Sequence, residues 1–267
     1  MNGLPPRLEE HVAAGEPVLF LSAHLDDAIL SCGGLISELS RRCPMTVATL
    51  FTEASAPPHT YAARSSLRQC RATDAASLYE ARRAEDQDVL AQLGIDCVHL
   101  GATDALYRPR EIGNGLVTGL GRHLPEVVHR YPTYRFDIAK GRVSRGDRNL
   151  IADLCTRVAD LVVTIGPALV FSPVGVGRHV DHLVTRTTAE RLQTGVVYYS
   201  DFPYDEQAQP DPGFLGQHRL LPWTWGRRIA EKHQLIRAYR TQVDALFPGG
   251  RITRKPETYF ETCFEGA

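Results

Sequence analysis

The sequence has almost no net charge and no long apolar run, and each absence weakens a class of function. Lys and Arg number 30 against 31 Asp and Glu, and a net charge of −1 gives no support to a nucleic-acid partner. No apolar run approaches the roughly 18 to 20 residues that a membrane span needs, so we expect none. Residues 1–16 are polar and contain Pro5 and Pro6, whereas a signal peptide has a charged segment followed by an apolar one.

Paired cysteines and phosphate-binding glycine motifs are also missing. None of the six cysteines forms a C-x-x-C pair, which argues against a zinc knuckle and a redox motif. Together with the polar first residues, this predicts reduced, mostly buried thiols in a cytoplasmic protein. The chain has no G-x-G-x-x-G and no Gly-Lys-Thr/Ser, which weakens a nucleotide-binding Rossmann protein as an alternative; we attribute Gly33-Gly34 to close packing.

Short apolar runs alternate with segments of helical periodicity. Predicted strands cover residues 17–23, 46–51, 95–100, 168–172 and 196–202. Predicted helices cover residues 28–42, 80–93, 147–164, 181–193 and 228–246. This alternation predicts an α/β fold, with a Rossmann-like, mostly parallel sheet and helices on both faces.

The 267 residues suit a single domain. We predict a core over about residues 17–202 and a C-terminal helical extension over about residues 203–267. Residues 52–79 and 101–146 show no sustained periodicity and are predicted as long loops, the first with a short helix at most. Since ligands of such sheets bind outside the carboxyl ends of the strands, we expect these loops at the active edge.

Two short motifs follow predicted strands and therefore fall on the same edge of the sheet. Ala23-His24-Leu25-Asp26-Asp27 ends the first strand, and Gly177-Arg178-His179-Val180-Asp181-His182 follows the fourth. His24, Asp27 and His182 would give two imidazoles and one carboxylate, which leaves a coordination position open. That donor set is typical of a catalytic zinc ion, which lowers the pKa of its bound water to about 7.

The remaining residues of the two motifs are typical of acid–base partners. Asp26 would be a free carboxylate next to a metal-bound water, which suits a general base. His179, oriented by Asp181, would stabilise an oxyanion or protonate a leaving amine. Together these residues fit the hydrolysis of an amide.

On these motifs and the strand–helix order, the chain resembles the PIG-L (LmbE-like) family of metal-dependent deacetylases over most of residues 17–202. The resemblance implies His24, Asp27 and His182 as metal ligands and Asp26 as base. It implies that His179 polarises the carbonyl or stabilises the intermediate, with Asp181 tuning it. The family usually has Pro at the positions of Leu25 and, often, Val180, so the stiffness of both turns is in question.

Three further residues are candidates for substrate binding. The family often has Arg near the substrate in the region of Arg82 and Arg83, although a solvated helix face would equally explain both. Asp104 follows the third predicted strand, where a carboxylate could accept hydrogen bonds from sugar hydroxyls or cap a loop.

The resemblance implies a zinc-dependent hydrolase that removes acetyl from an N-acetylated amino sugar, in a small-molecule glycoside such as a natural product. Another divalent metal such as Fe²⁺ would fit the same donors. One alternative is an amidase that cleaves a longer acyl group or a thiol conjugate. A two-histidine, one-carboxylate Fe(II) oxygenase uses the same ligand types but usually on an all-β barrel. A non-catalytic glycan-binding protein is an alternative of another class. The oligomeric state stays open.

Overall fold

In the computed structural model, which describes residues 3–110 and 124–262, seven strands form one sheet. The strands are β1 (Val18–Ser22), β2 (Met45–Glu53), β3 (Asp96–Thr103), β4 (Leu169–Pro173), β5 (Gly195–Tyr199), β6 (Leu220–Trp225) and β7 (Glu257–Thr262). Their order is β3-β2-β1-β4-β5-β7-β6. The first five strands pair in parallel, and β7 pairs antiparallel to β5 and β6. The prediction of a mostly parallel α/β sheet is confirmed.

Ten α-helices accompany the strands in the described part of the chain. They are α1 (Pro6–Ala13), α2 (Asp27–Leu39), α3 (Tyr61–Gln69), α4 (Ala75–Gln92), α5 (Pro125–Val128), α6 (Arg148–Ile165), α7 (Val180–Ala189), α8 (Pro212–Gln217), α9 (Ile229–Ala238) and α10 (Arg240–Leu246). Short 3₁₀ turns lie at Ala105–Tyr107, Arg145–Asp147, Val176–Arg178 and Tyr204–Glu206, and a π turn lies at Tyr134–Ile138. None of the helices within the described ranges is long and apolar enough to cross a bilayer.

Helices cover both faces of the sheet, which explains why its central strands are apolar throughout. Every residue of β1 and β4 is buried. On one face, Phe20 and Phe171 stack with ring centroids 4.3 Å apart and pack with α2 and α9. On the other face, Leu154 and Val158 of α6 pack with β1 and with α7. The two central strands are thereby fixed between helices.

The region predicted as a long loop over residues 52–79 is more ordered than expected. It contains all of α3, and α4 begins at Ala75 rather than at residue 80. The side chain of Asp74 accepts the backbone N–H of Ser77, which starts α4 with an N-cap. Leu78 and Tyr79 in the first turns are buried, so tertiary packing extends the helix beyond the segment that its own periodicity indicates.

The chain after β5 differs most from the prediction. The helix expected over residues 228–246 is two helices, because Tyr239 has a non-helical backbone with φ −80° and ψ 67°. The predicted helical extension also supplies β6 and β7, which the sequence analysis missed. Strand β6 contains Pro222 and lies at the edge of the sheet, where proline is tolerated.

The predicted loop over residues 101–146 contains the end of β3, the short helix α5 and single helical turns where it is described, and residues 111–123 lie outside the described residues. Together with α3, it forms an apolar cluster at the carboxyl edge of the sheet that includes Ala63, Leu67, Tyr107 and Ile138. This cluster lies directly beside the two motifs.

Candidate metal centre and active site

The two motifs meet because β1 and β4 are neighbours in the sheet. The turn after β1 is held by Ser22, whose hydroxyl donates to the His24 carbonyl at 2.7 Å and accepts the Ala28 N–H at 3.0 Å. Asp27 is the first residue of α2, and the second motif leads into α7. Sequence-distant side chains therefore converge at one point.

The three predicted metal ligands lie together and are buried. Oδ2 of Asp27 is 3.1 Å from Nδ1 of His24 and 3.2 Å from Nε2 of His182. Nε2 of His182 is buried and has no hydrogen-bond partner among the described residues, although it lies so close to the carboxylate. An unpartnered imidazole nitrogen that faces a carboxylate and a second imidazole fits a metal ligand.

The orientation of His182 is set from behind by Asp201, a residue that the sequence analysis missed. Nδ1 of His182 lies 2.6 Å from Oδ1 of Asp201. The other oxygen of Asp201 accepts the backbone N–H groups of Gly175 and Val176, at 2.8 and 2.7 Å. A carboxylate behind a histidine is the usual outer support of a metal-ligating imidazole. In the sequence, Asp201 lies inside the predicted strand over residues 196–202, whereas β5 ends at Tyr199, so nothing marked it as a residue of the site.

Asp26 is buried beside this cluster. Burial, and then the charge of Asp27, raises the pKa of Asp26 to about 8, whereas Arg82 and His24 favour the ionised form. Its carboxyl group can therefore both accept and release a proton near neutral pH.

His179 lies at the cluster, but Asp181 does not orient it in the expected way. The His179 ring centroid is 4.9 Å from that of His24 and 5.2 Å from that of His182. Nδ1 of His179 accepts the backbone N–H of Asp181 at 3.3 Å, whereas the Asp181 carboxylate lies 3.2 Å from Nε2 of His24. Asp181 therefore supports a predicted metal ligand rather than the side chain of His179. Burial, and then the charges of His24 and His182, lower the pKa of His179 to about 3.

Arg108 completes the arrangement around Asp181 and was also missed. Its guanidinium lies 2.5 Å from Asp181 and 2.8 Å from Asp147, and it donates to the Thr103 carbonyl. Burial alone would raise the pKa of Asp181, but Arg108 and His24 outweigh burial and hold that pKa well below its usual value. Arg108 comes from the segment without periodicity, so no pattern marked it.

The three residues predicted to bind substrate make different kinds of contact in the structure. Asp104 caps the 3₁₀ turn, since its Oδ1 accepts the backbone N–H of Leu106. Its Oδ2 accepts the hydroxyl of Tyr79 at 2.6 Å and lies 3.5 Å from Nε2 of His24. Arg82 lies over the ring of Tyr79 and interacts electrostatically with Asp26.

Arg83 makes its contacts at the end of β2. It binds the Thr52 carbonyl and the Glu53 carboxylate, each at 2.9 Å, and so ties α4 to the end of β2. Its contacts are those of a structural ion pair.

The family that this chain resembles usually or often has proline at two positions of the motifs. In this chain, packing stiffens the turns at both positions. Leu25 and Val180 are both fully buried in the apolar cluster at the carboxyl edge. The amide of Gln242 donates to the Leu25 carbonyl at 2.7 Å. These contacts restrain the turns without a pyrrolidine ring.

Aromatic rings border the site. The ring centroid of Tyr134 lies 5.9 Å from that of His179, and Tyr134 is 42% exposed. The ring centroid of Tyr204 lies 5.5 Å from that of His182. Such faces can pack against a sugar ring or an apolar group.

Comparisons with known proteins agree with this geometry. The family model described as GlcNAc-PI de-N-acetylase (PIG-L) matches residues 19–192. The 2'-N-acetylparomamine deacetylase of Streptomyces fradiae is 29% identical over 206 residues, which cover 75% of this chain and 61% of that protein. The chain therefore spans about three fifths of the length of this relative.

Two solved structures show the same fold. The zinc-inhibited form of teicoplanin deacetylase Orf2 superposes with a TM-score of 0.71 and 19% identity, over 91% of this chain and 97% of that one. The A40926 pseudoaglycone deacetylase Dbv21 superposes with a TM-score of 0.67 and 22% identity, over 92% and 96%. At these identities the likeness concerns the fold.

Proposed function

Because the chain belongs to the PIG-L family, whose model matches residues 19–192, we propose that it is a metal-dependent N-deacetylase acting on an acetylated amino sugar. The observation that carries the proposal is the buried, unpartnered Nε2 of His182, which faces Asp27 at the junction of β1 and β4. The named substrates of the relatives, acetylparomamine, teicoplanin and the A40926 pseudoaglycone, support a small-molecule glycoside made in natural-product biosynthesis.

His24, Asp27 and His182 would hold the metal, and two nitrogens with one oxygen suit Zn²⁺. Fe²⁺ is accommodated by the same donors. When bound, such an ion makes a water acidic and polarises the acetyl carbonyl. Asp201 and Asp181 would orient the two imidazoles from behind, as their contacts with His182 and His24 indicate.

Asp26 would move the proton. It takes a proton from the attacking water as general base and passes it to the departing amine. Its buried position next to Arg82 keeps the transfer inside the site. The reaction consumes one water and releases acetate and the free amine.

His179 would act as a neutral hydrogen-bond donor. Its Nδ1 accepts the backbone N–H of Asp181, so the ring proton lies on Nε2. A donor held in this way can stabilise the oxyanion that forms when water attacks the carbonyl.

Asp104, which lies beside His24, and Arg82, which interacts electrostatically with Asp26, are our candidates for contacts with the sugar. Arg83 is the weaker candidate, since Thr52 and Glu53 already occupy its guanidinium. We also propose a cytoplasmic location, which the five free cysteines of the described chain support.

The test measures bound metal together with acetate release from N-acetylated aminoglycosides and glycopeptides, before and after chelation. We expect chelator-sensitive release from the wild type. Asp26→Asn should keep its metal and lose activity by about 100-fold or more, as for removal of a general base. His11→Asn, far from the site in a surface contact with Glu16, is the matched control and should keep both.

Two results would contradict the proposal. Full activity in metal-retaining Asp26→Asn would remove the assigned base. Absence of bound metal after reconstitution would remove the assigned centre. Bound metal with release of a longer acyl group instead of acetate would favour the amidase.

A further inference from the structure

A second group of metal-binding side chains lies away from the active site, between α4 and β3. Asp86 belongs to α4, and Cys97 and His99 belong to β3. Because Cys97 and His99 are two residues apart on a strand, both project to the same face, which is the face covered by α4. The group shares no residue with the proposed catalytic centre.

Three donor atoms of this group converge. Nε2 of His99 lies 2.9 Å from Oδ2 of Asp86 and 3.2 Å from Sγ of Cys97. Sγ of Cys97 lies 3.8 Å from the same carboxylate oxygen. Tetrahedral zinc with ordinary bond lengths separates its sulfur, nitrogen and oxygen ligands by about 3.3–3.7 Å. The three observed separations therefore need to change by no more than about half an ångström to match a bound ion.

The same geometry argues against a catalytic cysteine. In a Cys–His–Asp triad the thiol and the carboxylate use different nitrogens of the imidazole. Here both Cys97 and Asp86 approach Nε2 of His99. Asp86 therefore cannot orient the ring while Nε2 receives the thiol proton. Convergence on one point is the arrangement of ligands around an ion.

The outer contact that orients Asp86 and the summed charge of the three side chains both fit a divalent cation. The buried hydroxyl of Tyr239 donates to Oδ1 of Asp86 at 2.8 Å, which leaves Oδ2 directed at the cluster. This is the type of outer contact that orients a metal-binding carboxylate. One carboxylate and one thiolate would neutralise a divalent ion, so the filled site would bury no net charge.

Burial, and then the charge of Asp86, raises the pKa of the Cys97 thiol to about 12. Without an ion this thiol is protonated and unreactive at neutral pH. A bound cation reverses the electrostatics and releases the proton.

We propose that Asp86, Cys97 and His99 form a second metal site, specific for a thiophilic divalent ion such as Zn²⁺. The ion joins the edge strand β3 to α4, the helix that carries Tyr79 and Arg82 to the active site. His99 keeps 12% of its side chain exposed, so the fourth position can be filled by water.

Co²⁺ as a probe separates this site from the catalytic one. A thiolate bound to Co²⁺ gives an intense near-ultraviolet charge-transfer band, whereas the nitrogen and oxygen donors of His24, Asp27 and His182 give none. We expect the wild-type protein, titrated with Co²⁺, to show this band and to saturate it by the time two ions per chain have bound, one at each site. The band should also appear in His24→Ala, which lacks a catalytic ligand.

Cys97→Ser should lose the band completely, and His99→Gln should weaken binding at this site at least tenfold. Cys155→Ser is the matched control, because Cys155 is a part-buried thiol that contacts Thr188 and Arg191; it should keep the band. A wild-type protein that binds Co²⁺ without a thiolate band would overturn the second site. Retention of the full band in Cys97→Ser would do the same, and neither result would affect the deacetylase proposal.

Discussion

A single carboxylate oxygen organises the proposed catalytic centre. Oδ2 of Asp27 accepts the backbone N–H of His24 at 2.8 Å and faces an imidazole nitrogen of His24 and another of His182. Burial alone would raise the pKa of Asp27, but His182 and His24 outweigh it and hold the pKa well below its usual value. Asp27, a proposed metal ligand, is thus ionised and fixed in place by the fold.

At the same scale, Asp201 should set the affinity of His182 for metal. Asp201→Asn removes the charge that holds Nδ1 of His182, and we expect metal affinity to fall by about 10- to 100-fold. Competition with a chromophoric chelator would measure the change. Asp205→Asn is the control, because Asp205 pairs with Lys255 and not with His182. Equal affinity in Asp201→Asn and wild type would show that backbone packing alone orients the imidazole.

Arg108 is the residue whose loss should most destabilise the region behind the site. Arg108→Met leaves Asp147 and Asp181 buried without their shared cation, which we expect to cost about 3–5 kcal/mol of unfolding free energy. Arg83→Met, in a half-exposed ion pair with Glu53, should cost about 1 kcal/mol or less. Urea denaturation would compare the two variants. A similar cost for both would mean that the buried network contributes little.

At the scale of elements, the convergence of His24, Asp27 and His182 was predictable because these residues follow strands that the sequence marks clearly. The apolar runs of β1 and β4 are buried on both faces of the sheet. Their composition therefore indicated where each strand ends and which edge of the sheet the two motifs occupy. The residues that support the proposed ligands from outside were not predictable. Arg108 comes from an irregular segment, and its role depends on contacts with Asp147 and Asp181 that only the folded chain brings together.

The elements after β5 were misread for a related reason. The residue pattern of strands β6 and β7 is shaped by contacts such as the stacking of Trp223 on Tyr259, with ring centroids 4.3 Å apart. Local periodicity carries no information about such partners. The break at Tyr239 was equally hidden, because the apolar residues on both sides of it keep helical spacing.

Helix α2 depends on a glycine where another element approaches it. A Cβ on Gly34 would lie 2.8 Å from the Arg227 carbonyl oxygen and 3.2 Å from Oε1 of Glu257. We expect Gly34→Ala to destabilise the protein by about 1–3 kcal/mol, measured by urea denaturation. Gly216→Ala in α8 is the control, since no atom of the described part of the chain lies within 4 Å of an added Cβ, and it should be neutral or stabilising. An unchanged urea midpoint for Gly34→Ala would show that the segment around Arg227 shifts to accommodate the added methyl group without loss of stability.

At the scale of the whole molecule, the C-terminal strands are bound to the start of the chain. The carboxylate of Glu257, the first residue of β7, accepts the backbone N–H groups of Gly34 and Leu35 in α2, at 2.8 and 2.9 Å. Lys232 of α9 lies 3.1 Å from the same carboxylate. The helix that begins with a proposed metal ligand is therefore held by the last strand of the sheet.

Metal removal should lower the stability of the whole molecule in two separable steps. An ion that binds only the folded chain adds about 1.4 kcal/mol for each tenfold excess over its Kd. Chelation should therefore lower the urea midpoint of the wild type, and by a smaller amount in His24→Ala or Cys97→Ser. The double variant should not respond. A full response in the double variant would place the stabilising ion elsewhere.

The neighbouring positions of β1 and β4 also bear on how the chain acquires its metal during synthesis. His24 and Asp27 leave the ribosome early, whereas His182 follows only after β4 and the turn beyond it have been made. A nascent chain shorter than this offers only two of the three proposed catalytic ligands, too few for tight capture at that centre, and the third arrives only when distant strands have paired. Metal uptake at the proposed catalytic centre should thus mark the completion of long-range folding.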